Sequence, residues 1–275
     1  MLLQYIGDHS FNNEYRPVLP EDQDLILPVK GQDLLMNPAT EELYTFNDLK
    51  NTDFNKNDLL PYAFSIDGKK MFLPLSLSEA FIENAKPVNI RVLGKTRPEL
   101  QLAGATGMHL KTWYTTHRYC GCCGGKNEHD AKERAMKCTV CGHLTFPVIC
   151  PAIIVAVVDG DRILLTKSHR PNAPFSLIAG FTEIGETLEQ TCAREAMEET
   201  GVKIKNIRPF INQPWGFSSS LMLGFFAELD GSDEIHKQDS EIADAQWFTR
   251  DTMPVTDSPI DITHHMMELW RQNKL

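Results

Sequence analysis

Residues 180–202 read GFTEIGETLEQTCAREAMEETGV, a glycine-anchored loop running into a segment on which carboxylates recur at helical spacing. A helix from about Thr187 to Thr200, at about 3.6 residues per turn, puts Glu195 and Glu199 one turn apart and close in angle to Leu188 and Cys192. Two carboxylates therefore fall on the side that packs inward. Like charges at this spacing repel, and an inward carboxylate without a partner is costly to desolvate, so the arrangement calls for a cation. Hard oxygen ligands suit Mg²⁺ or Mn²⁺, which bind through a few carboxylates together with the phosphate oxygens of a substrate. A solvated, salt-bridged surface helix is the ordinary reading of a Glu-rich stretch. The inward angle of Glu195 and Glu199 argues against it here.

Both ends of the helix are marked. Thr187 with Gln190 three residues later is a capping-box pattern, and Gly201 follows the last turn, where a left-handed residue is commonly needed. The segment resembles the Nudix box, G-x5-E-x7-R-E-U-x-E-E-x-G-U with U a bulky aliphatic residue: Gly180, Glu186, Arg194, Glu195, Glu198, Glu199, Gly201 and Val202 fall in register. Ala196, at the first aliphatic position, is smaller than the pattern asks, which bears on local packing rather than on chemistry. The resemblance implies hydrolysis of a nucleoside diphosphate linked to another moiety, with metal held by box glutamates.

The chain has 275 residues, 42% of them hydrophobic, which exceeds one typical domain and is ample for a sizeable core. No apolar run approaches the ~20 residues that span a bilayer, and the opening MLLQYIGDHSFNNEY lacks the basic and apolar regions of a signal peptide, so a cytoplasmic protein without membrane contact is expected. A formal charge of −10 disfavours a broad, nonspecific grip on nucleic acid but leaves room for a local basic pocket.

Four of the seven cysteines are spaced as Cys120-x2-Cys123 and Cys138-x2-Cys141. Two such turns present four thiolates that close a tetrahedral shell with no open position, so a structural zinc, one per chain, is expected. Redox pairing is the alternative. Cys122 lies between the first two ligands, but the usual CxxC register favours Cys120 and Cys123. Cys150 and Cys192 sit in or near apolar stretches and read as small core residues.

Before residue 115, YAFSIDGKKMFLPL reads as a hairpin turning at Asp67-Gly68, and NIRVLG at 89–94 as a further β-like run with a helical stretch after it. NPATEELYTFNDLKNTDFNKND is polar and irregular. After the cysteines, PAIIVAVVDGDRILLTK gives two strands joined around Asp159-Gly160, and SLIAGF leads into the box. LMLGFFAEL and AQWFTR are further strands, and ITHHMMELWRQ is a closing amphipathic helix. Periodicity alone stops at mixed α/β. The family resemblance supplies the rest: an α/β Nudix domain over 149–275, an α/β/α sandwich with a mixed sheet, preceded by a zinc ribbon at 116–148 and a small α+β domain at 1–115.

Ten residues past the box comes NQPWGFSSS, 212–220. It resembles the SQPWPFPxS motif of the NADH pyrophosphatase branch of the Nudix hydrolases, with Gln213, Pro214, Trp215, Phe217 and Ser220 matching. Asn212, Gly216 and Ser218 depart from it, and losing two prolines is expected to loosen the loop. Aromatic rings beside amides and hydroxyls suit a dinucleotide. In this branch further substrate contacts come from the ribbon and its approach, where Arg91, Glu133 and Phe146 occupy the corresponding places. The resemblance implies metal-dependent splitting of NAD(H) into nicotinamide mononucleotide and AMP, with NAD-capped RNA carrying the same diphosphate at its 5′ end. It gives catalytic roles to Glu195, Glu198 and Glu199. It gives the Mg²⁺ or Mn²⁺ sites to those three with the Ala179 carbonyl and Glu241, and it implies a homodimer. Arg194 is expected to orient box glutamates through a bidentate pair. Two other functions compete: a Nudix hydrolase of ADP-ribose or dinucleoside polyphosphates, and a non-enzymatic nucleotide-binding regulator.

Overall fold

A computed structural model describes residues 2–50, 60–237, 240–254 and 260–274. These divide into two compact units: one takes residues 2–4, 149–215 and 220–274, the other 5–148 and 216–219. None of the described helices is long and apolar enough to cross a membrane.

The first unit is a mixed six-stranded sheet. Cys150–Asp159 lies at its centre, parallel to Ser220–Leu229 and antiparallel to Arg162–Ser168; Ile204–Trp215 and Ile242–Thr249 form the edges. The short strand Ile178–Phe181 pairs only with the first half of the central strand, Ala152 opposite Phe181 to Val155 opposite Ile178. Arg162–Ser168 takes over at the other end.

Strand alternation divides the apolar side chains between two faces. Ile153, Val155 and Val157 pack with Ile178, Cys192 and Ala196 beneath the box helix Leu188–Thr200. Ile154 and Ala156 pack on the other face with Ile163, Leu165 and Met266, Met267 and Trp270 of the closing helix Ile262–Arg271. The α/β/α sandwich is thus present. Ala196 is fully buried, so the short side chain lets the box helix lie close on the sheet. The turn after the central strand is Gly160-Asp161, one residue later than expected, because Asp159 still pairs with Arg162.

The second unit holds two small sheets, the ribbon and the helix Pro98–Thr116. Tyr62–Ile66 and Lys69–Phe72 form the expected hairpin, with Asp67 and Gly68 at φ of 52° and 74°. A tight primed turn needs positive φ at both positions. Gly104 and Gly107 of the long helix lie where a Cβ would come within 2.8 Å of Ile90 and 2.4 Å of Leu27, so the helix reaches its neighbours only through bare backbone.

Two expectations fail in this unit. NIRVLG is not a strand: Lys86–Asn89 is extended, and Ile90–Leu93 turns helical because the Asn89 side chain accepts the Arg91 N–H as an N-cap. Within the polar segment from Asn37, Phe46–Leu49 is helical, closed by a capping box between Thr45 and Asp48. Residues 51–58 of that segment lie outside the described residues.

Candidate active site

The box helix begins as its sequence dictates. The Thr187 hydroxyl accepts the Gln190 N–H, Gln190 answers at the Thr187 N–H, and Gly201 closes the helix at φ 74°. One face then carries Cys192, Ala196 and Glu199 inward, with Glu199 only 7% exposed. Its carboxylate accepts hydrogen bonds from the Thr166 hydroxyl and the Ala179 N–H. One oxygen, Oε2, is buried with no hydrogen-bond partner. Burial first, and the negative charges of Glu195 and Glu241 after it, push the Glu199 carboxyl up to about 7.

Glu195 sits one turn earlier, beside the strand Ile178–Phe181. A Cβ at Gly180 would lie 1.9 Å from its carboxylate Oε1, so the box glycine is the gap that the carboxylate fills. Burial raises the Glu195 carboxyl too, against the lowering effect of Arg194. Glu198 is half exposed. Glu241, just before the edge strand Ile242–Thr249, is exposed and close enough to add negative potential at both Glu195 and Glu199.

Arg194 ties the loop to the helix. Its Nε and one Nη2 hydrogen meet Glu186 at 2.7 and 3.1 Å. Nη1 donates to Glu195 and Glu198, both at 2.8 Å, and Nη2 also donates to the Phe181 carbonyl at 2.9 Å. All of its donors are spent within the box, and none is left for a substrate. The guanidinium holds the Glu186 carboxyl down to about 2. Thr166, which the sequence reading missed, reaches Glu199 from a neighbouring strand. No local pattern marks such a residue.

The donor set fits a divalent cation. Buried and half-buried carboxylates, one with an orphaned oxygen, offer hard oxygen ligands, and the Ala179 N–H reaches one of them. Among the described residues only the four ribbon cysteines bring metal-ligating atoms within 4.8 Å of one another. The box glutamates do not converge to that distance.

The cysteines fit zinc. Sγ of Cys123 lies 3.5 Å from that of Cys138 and 3.4 Å from that of Cys141, and Cys120 lies 3.7 Å from Cys141. Four sulfurs at ~2.3 Å from one ion stand ~3.8 Å apart, whereas a disulfide needs ~2.05 Å. The turns match: Gly124 and Gly142 both have φ 74°, and their N–H groups reach the carbonyls of Cys120 and Cys138 at 2.9 and 3.0 Å. The Cys141 and Val140 N–H groups point at Cys138 Sγ and hold that thiol down to about 6. Cys122 is exposed and outside the cluster.

The expected substrate residues divide by unit. In the first, Gln213, Pro214 and Trp215 end the strand Ile204–Trp215 rather than forming a loop, and Ser220 begins the next strand, opposite Trp215. Trp215 is half-buried, Pro214 exposed and Ser220 buried. Gln213 is held within the fold. It is fully buried, its Nε2 donates to the Ile260 carbonyl at 2.8 Å, and its Oε1 accepts the Ile262 N–H at 2.9 Å. Both ends of its amide are spent fixing the start of the closing helix.

In the second unit the Arg91 guanidinium lies over the Phe217 ring, 4.2 Å from its centroid, while Nε donates to Gln32. Glu133 is exposed beside the Asp130 turn, and Phe146 is 53% exposed. At Gly216 a Cβ would stand 2.0 Å from the Ala105 carbonyl oxygen, so glycine permits a close backbone approach that a side chain would block.

The NUDIX domain model matches residues 149–266. The NAD-capped RNA hydrolase NudC of Mannheimia succiniciproducens is 42% identical over 216 residues, covering 71% of this chain and 80% of that protein. The protein of the same name from Haemophilus influenzae (strain PittGG) is 48% identical over 157 residues, 56% of this chain, and the match spans only 59% of that relative's length. Among solved structures, a NUDIX hydrolase from Nitrosomonas europaea superposes with a TM-score of 0.51 at 21% identity, over 57% of this chain and 92% of that one, a likeness of fold. With the box intact and four fifths of the Mannheimia relative covered, the chain belongs to the Nudix hydrolases, in the NADH pyrophosphatase family that includes the NudC proteins.

Proposed function

We propose that the protein hydrolyses the diphosphate of NAD(H) to nicotinamide mononucleotide and AMP, and removes the same group from NAD-capped RNA 5′ ends. The observation that carries the reading is the buried, part-orphaned Glu199 carboxylate within the box cluster, a cost the fold bears only if a cation is to be bound. Glu195, Glu199, Glu241 and the Ala179 carbonyl would hold Mg²⁺ or Mn²⁺. Such an ion neutralises charge on the phosphate oxygens and lowers the pKa of water.

The chain's own residues do the rest. Arg194 fixes the rotamers of Glu195 and Glu198, so the cluster is preorganised before substrate arrives. Glu198, half exposed and held by a single Arg194 N–H, is the carboxylate suited to take the proton of the attacking water. Water oxygen bonds to one phosphorus, the bridging P–O bond breaks, and each mononucleotide leaves with its phosphate. Trp215 at the strand end offers an apolar ring for a base.

Zinc in the ribbon would be structural, because four thiolates leave no open position. The ribbon and the residues leaving it expose Val140, Leu144, Phe146 and Val148, apolar side chains that support a homodimer. Separate, unlinked thiols suit a reducing compartment such as the cytoplasm. The test is product analysis on NADH, NAD⁺, ADP-ribose and NAD-capped RNA side by side, with and without Mg²⁺ or Mn²⁺. Mononucleotide products from the NAD-containing substrates, faster than from ADP-ribose and only with metal, are expected. No cleavage of any NAD-containing substrate with either metal overturns the reading.

A further inference from the structure

The second unit contains a cavity of about 670 Å³ that none of the roles above uses. Leu75 and Ser76, the end of the long helix at Tyr114 and Thr115, and the ribbon strands around Asn127 and Met136 line it. Its chemistry is specific. Tyr119 is 65% exposed, and its backbone bridges that of Lys126. Arg118 and Lys126 are exposed, and neither forms an ion pair with a described carboxylate. His129 stacks on Tyr114 with ring centroids 4.7 Å apart, giving one wall an aromatic surface.

Asn127 is also among the residues around the cavity. It is 5% exposed, its Nδ2 donates to the His117 carbonyl at 3.0 Å, and its Oδ1 is buried with no partner among the described residues. A native fold seldom leaves such an acceptor unsatisfied. Glu128, exposed on the same rim, is the one acid of the lining.

We propose that this cavity is a ribonucleotide-binding site separate from the box carboxylates. A base stacks against the Tyr119 and His129 rings, and the phosphate lies between Arg118 and Lys126. Glu128 accepts from the ribose hydroxyls, as acidic residues do in dinucleotide sites. The exposed ring, both cations and the acid that would repel a bare phosphate then each have a use. A purely apolar ligand leaves both cations idle, and a bare anion leaves the rings idle. A nucleoside 5′-phosphate employs all of them. It comes either as a free mononucleotide or as one residue of an RNA strand.

Equilibrium binding of AMP and of a five-residue oligoadenylate is measured on the full chain with Glu199→Gln and no added Mg²⁺, so that nothing turns over. An R118A/K126A pair and Y119A are made in that background. These side chains are exposed, so zinc content and melting temperature report directly that the fold persists. At least a tenfold loss of affinity is expected in both variants for the ligand that the site serves. If the oligonucleotide binds at least tenfold tighter than AMP and the R118A/K126A pair flattens its salt dependence by about 1.4 in log–log slope, the source is an RNA strand. If AMP binds as tightly as the oligonucleotide, the source is a free nucleotide. Unchanged affinity for both ligands in both variants overturns the proposal. NADH turnover with Mg²⁺, measured on the same substitutions with Glu199 intact, should stay within twofold of the unsubstituted chain. A failure of the hydrolase reading would show there and not in binding.

Discussion

Replacing Glu199 by Gln should stabilise the metal-free protein while destroying its activity. Burial lifts this carboxyl from 4.5 to about 7, so holding it ionised in the fold above pH 7 costs roughly 3 kcal/mol relative to the unfolded chain. The sign follows from the direction of the shift. A raised folded-state pKa gives stability that is whole below the unfolded value and is lost as pH rises through the folded one. The penalty is therefore absent at pH 4, opens between about 4.5 and 7, and is complete at pH 8. Gln keeps an oxygen for the Thr166 hydroxyl and the Ala179 N–H but buries an amide hydrogen pair without a partner, which returns about 1–2 kcal/mol. The net gain at pH 8 is about 1–2 kcal/mol, roughly 5 °C in melting temperature for a unit of this size. Thermal unfolding is followed from pH 5 to 8 on protein freed of Mg²⁺ with its zinc retained. The variant should exceed the parent at pH 8, match it between about pH 5 and 6, and lie at or below it at pH 5. Saturating Mg²⁺ should then reverse the order, because the parent gains binding free energy that the variant lacks, and kcat should fall by several orders of magnitude. A variant no more stable than the parent at pH 8, or one stabilised equally by Mg²⁺, refutes the assignment of Glu199 as a buried ligand awaiting a cation.

Gly180→Ala should fold normally but push the Glu195 carboxylate aside, since its Oε1 lies 1.9 Å from the new Cβ; a loss of at least ~100-fold in kcat with little change in melting temperature is the expected pair of readings. Gln213→Leu should lower stability by about 2–4 kcal/mol through the unpaired Ile260 carbonyl and Ile262 N–H, with KM for NADH unchanged; a raised KM in a stably folded variant would show a substrate role. Trp215→Ala should cost roughly 5- to 150-fold in kcat/KM on NADH and clearly less on a minimal diphosphate; equal losses with a lowered melting temperature would make the ring part of the core. Metal analysis should find one zinc per chain, and Cys138→Ser should impair folding before chemistry; an active, folded protein without zinc would reject the ribbon as a metal site.

What the sequence revealed was local in character. The box helix announced itself through Thr187, Gln190 and Gly201, and the inward angle of Glu199 followed from a spacing of four. The Asp67-Gly68 hairpin likewise needs only two residues with positive φ. What it did not reveal has a different cause. NIRVLG contains β-branched residues and reads extended, but one Asn89 side chain bonding two residues ahead is enough to turn so short a run into a helical turn. Gln213 sits in a motif that suggests recognition. Its partners, Ile260 and Ile262, lie almost fifty residues on, where no spacing argument reaches. Nor does spacing place the Ala105 carbonyl against Gly216. Thr166 has no signature at all, because its role exists only once two strands and a helix have met.

The charge balance of the box explains why one arginine does not make the metal unnecessary. Glu186, Glu195, Glu198, Glu199 and Glu241 present five carboxylates, and Arg194 pairs with three of them, Glu186, Glu195 and Glu198. It spends two donors on Glu186 and one on a backbone carbonyl, both belonging to the loop. Only Nη1 faces the helix carboxylates, where it takes Oε1 of Glu195 and Oε2 of Glu198. The second oxygen of each, and Oε2 of Glu199, lie outside its reach. Arg194 therefore acts as a template: it neutralises Glu186, which shapes the loop, and orients the others without quenching them. The negative potential that remains favours a divalent ion over a second side-chain cation. A lysine or arginine would satisfy the glutamates permanently, whereas an exchangeable ion can share its coordination with the phosphate oxygens of a substrate.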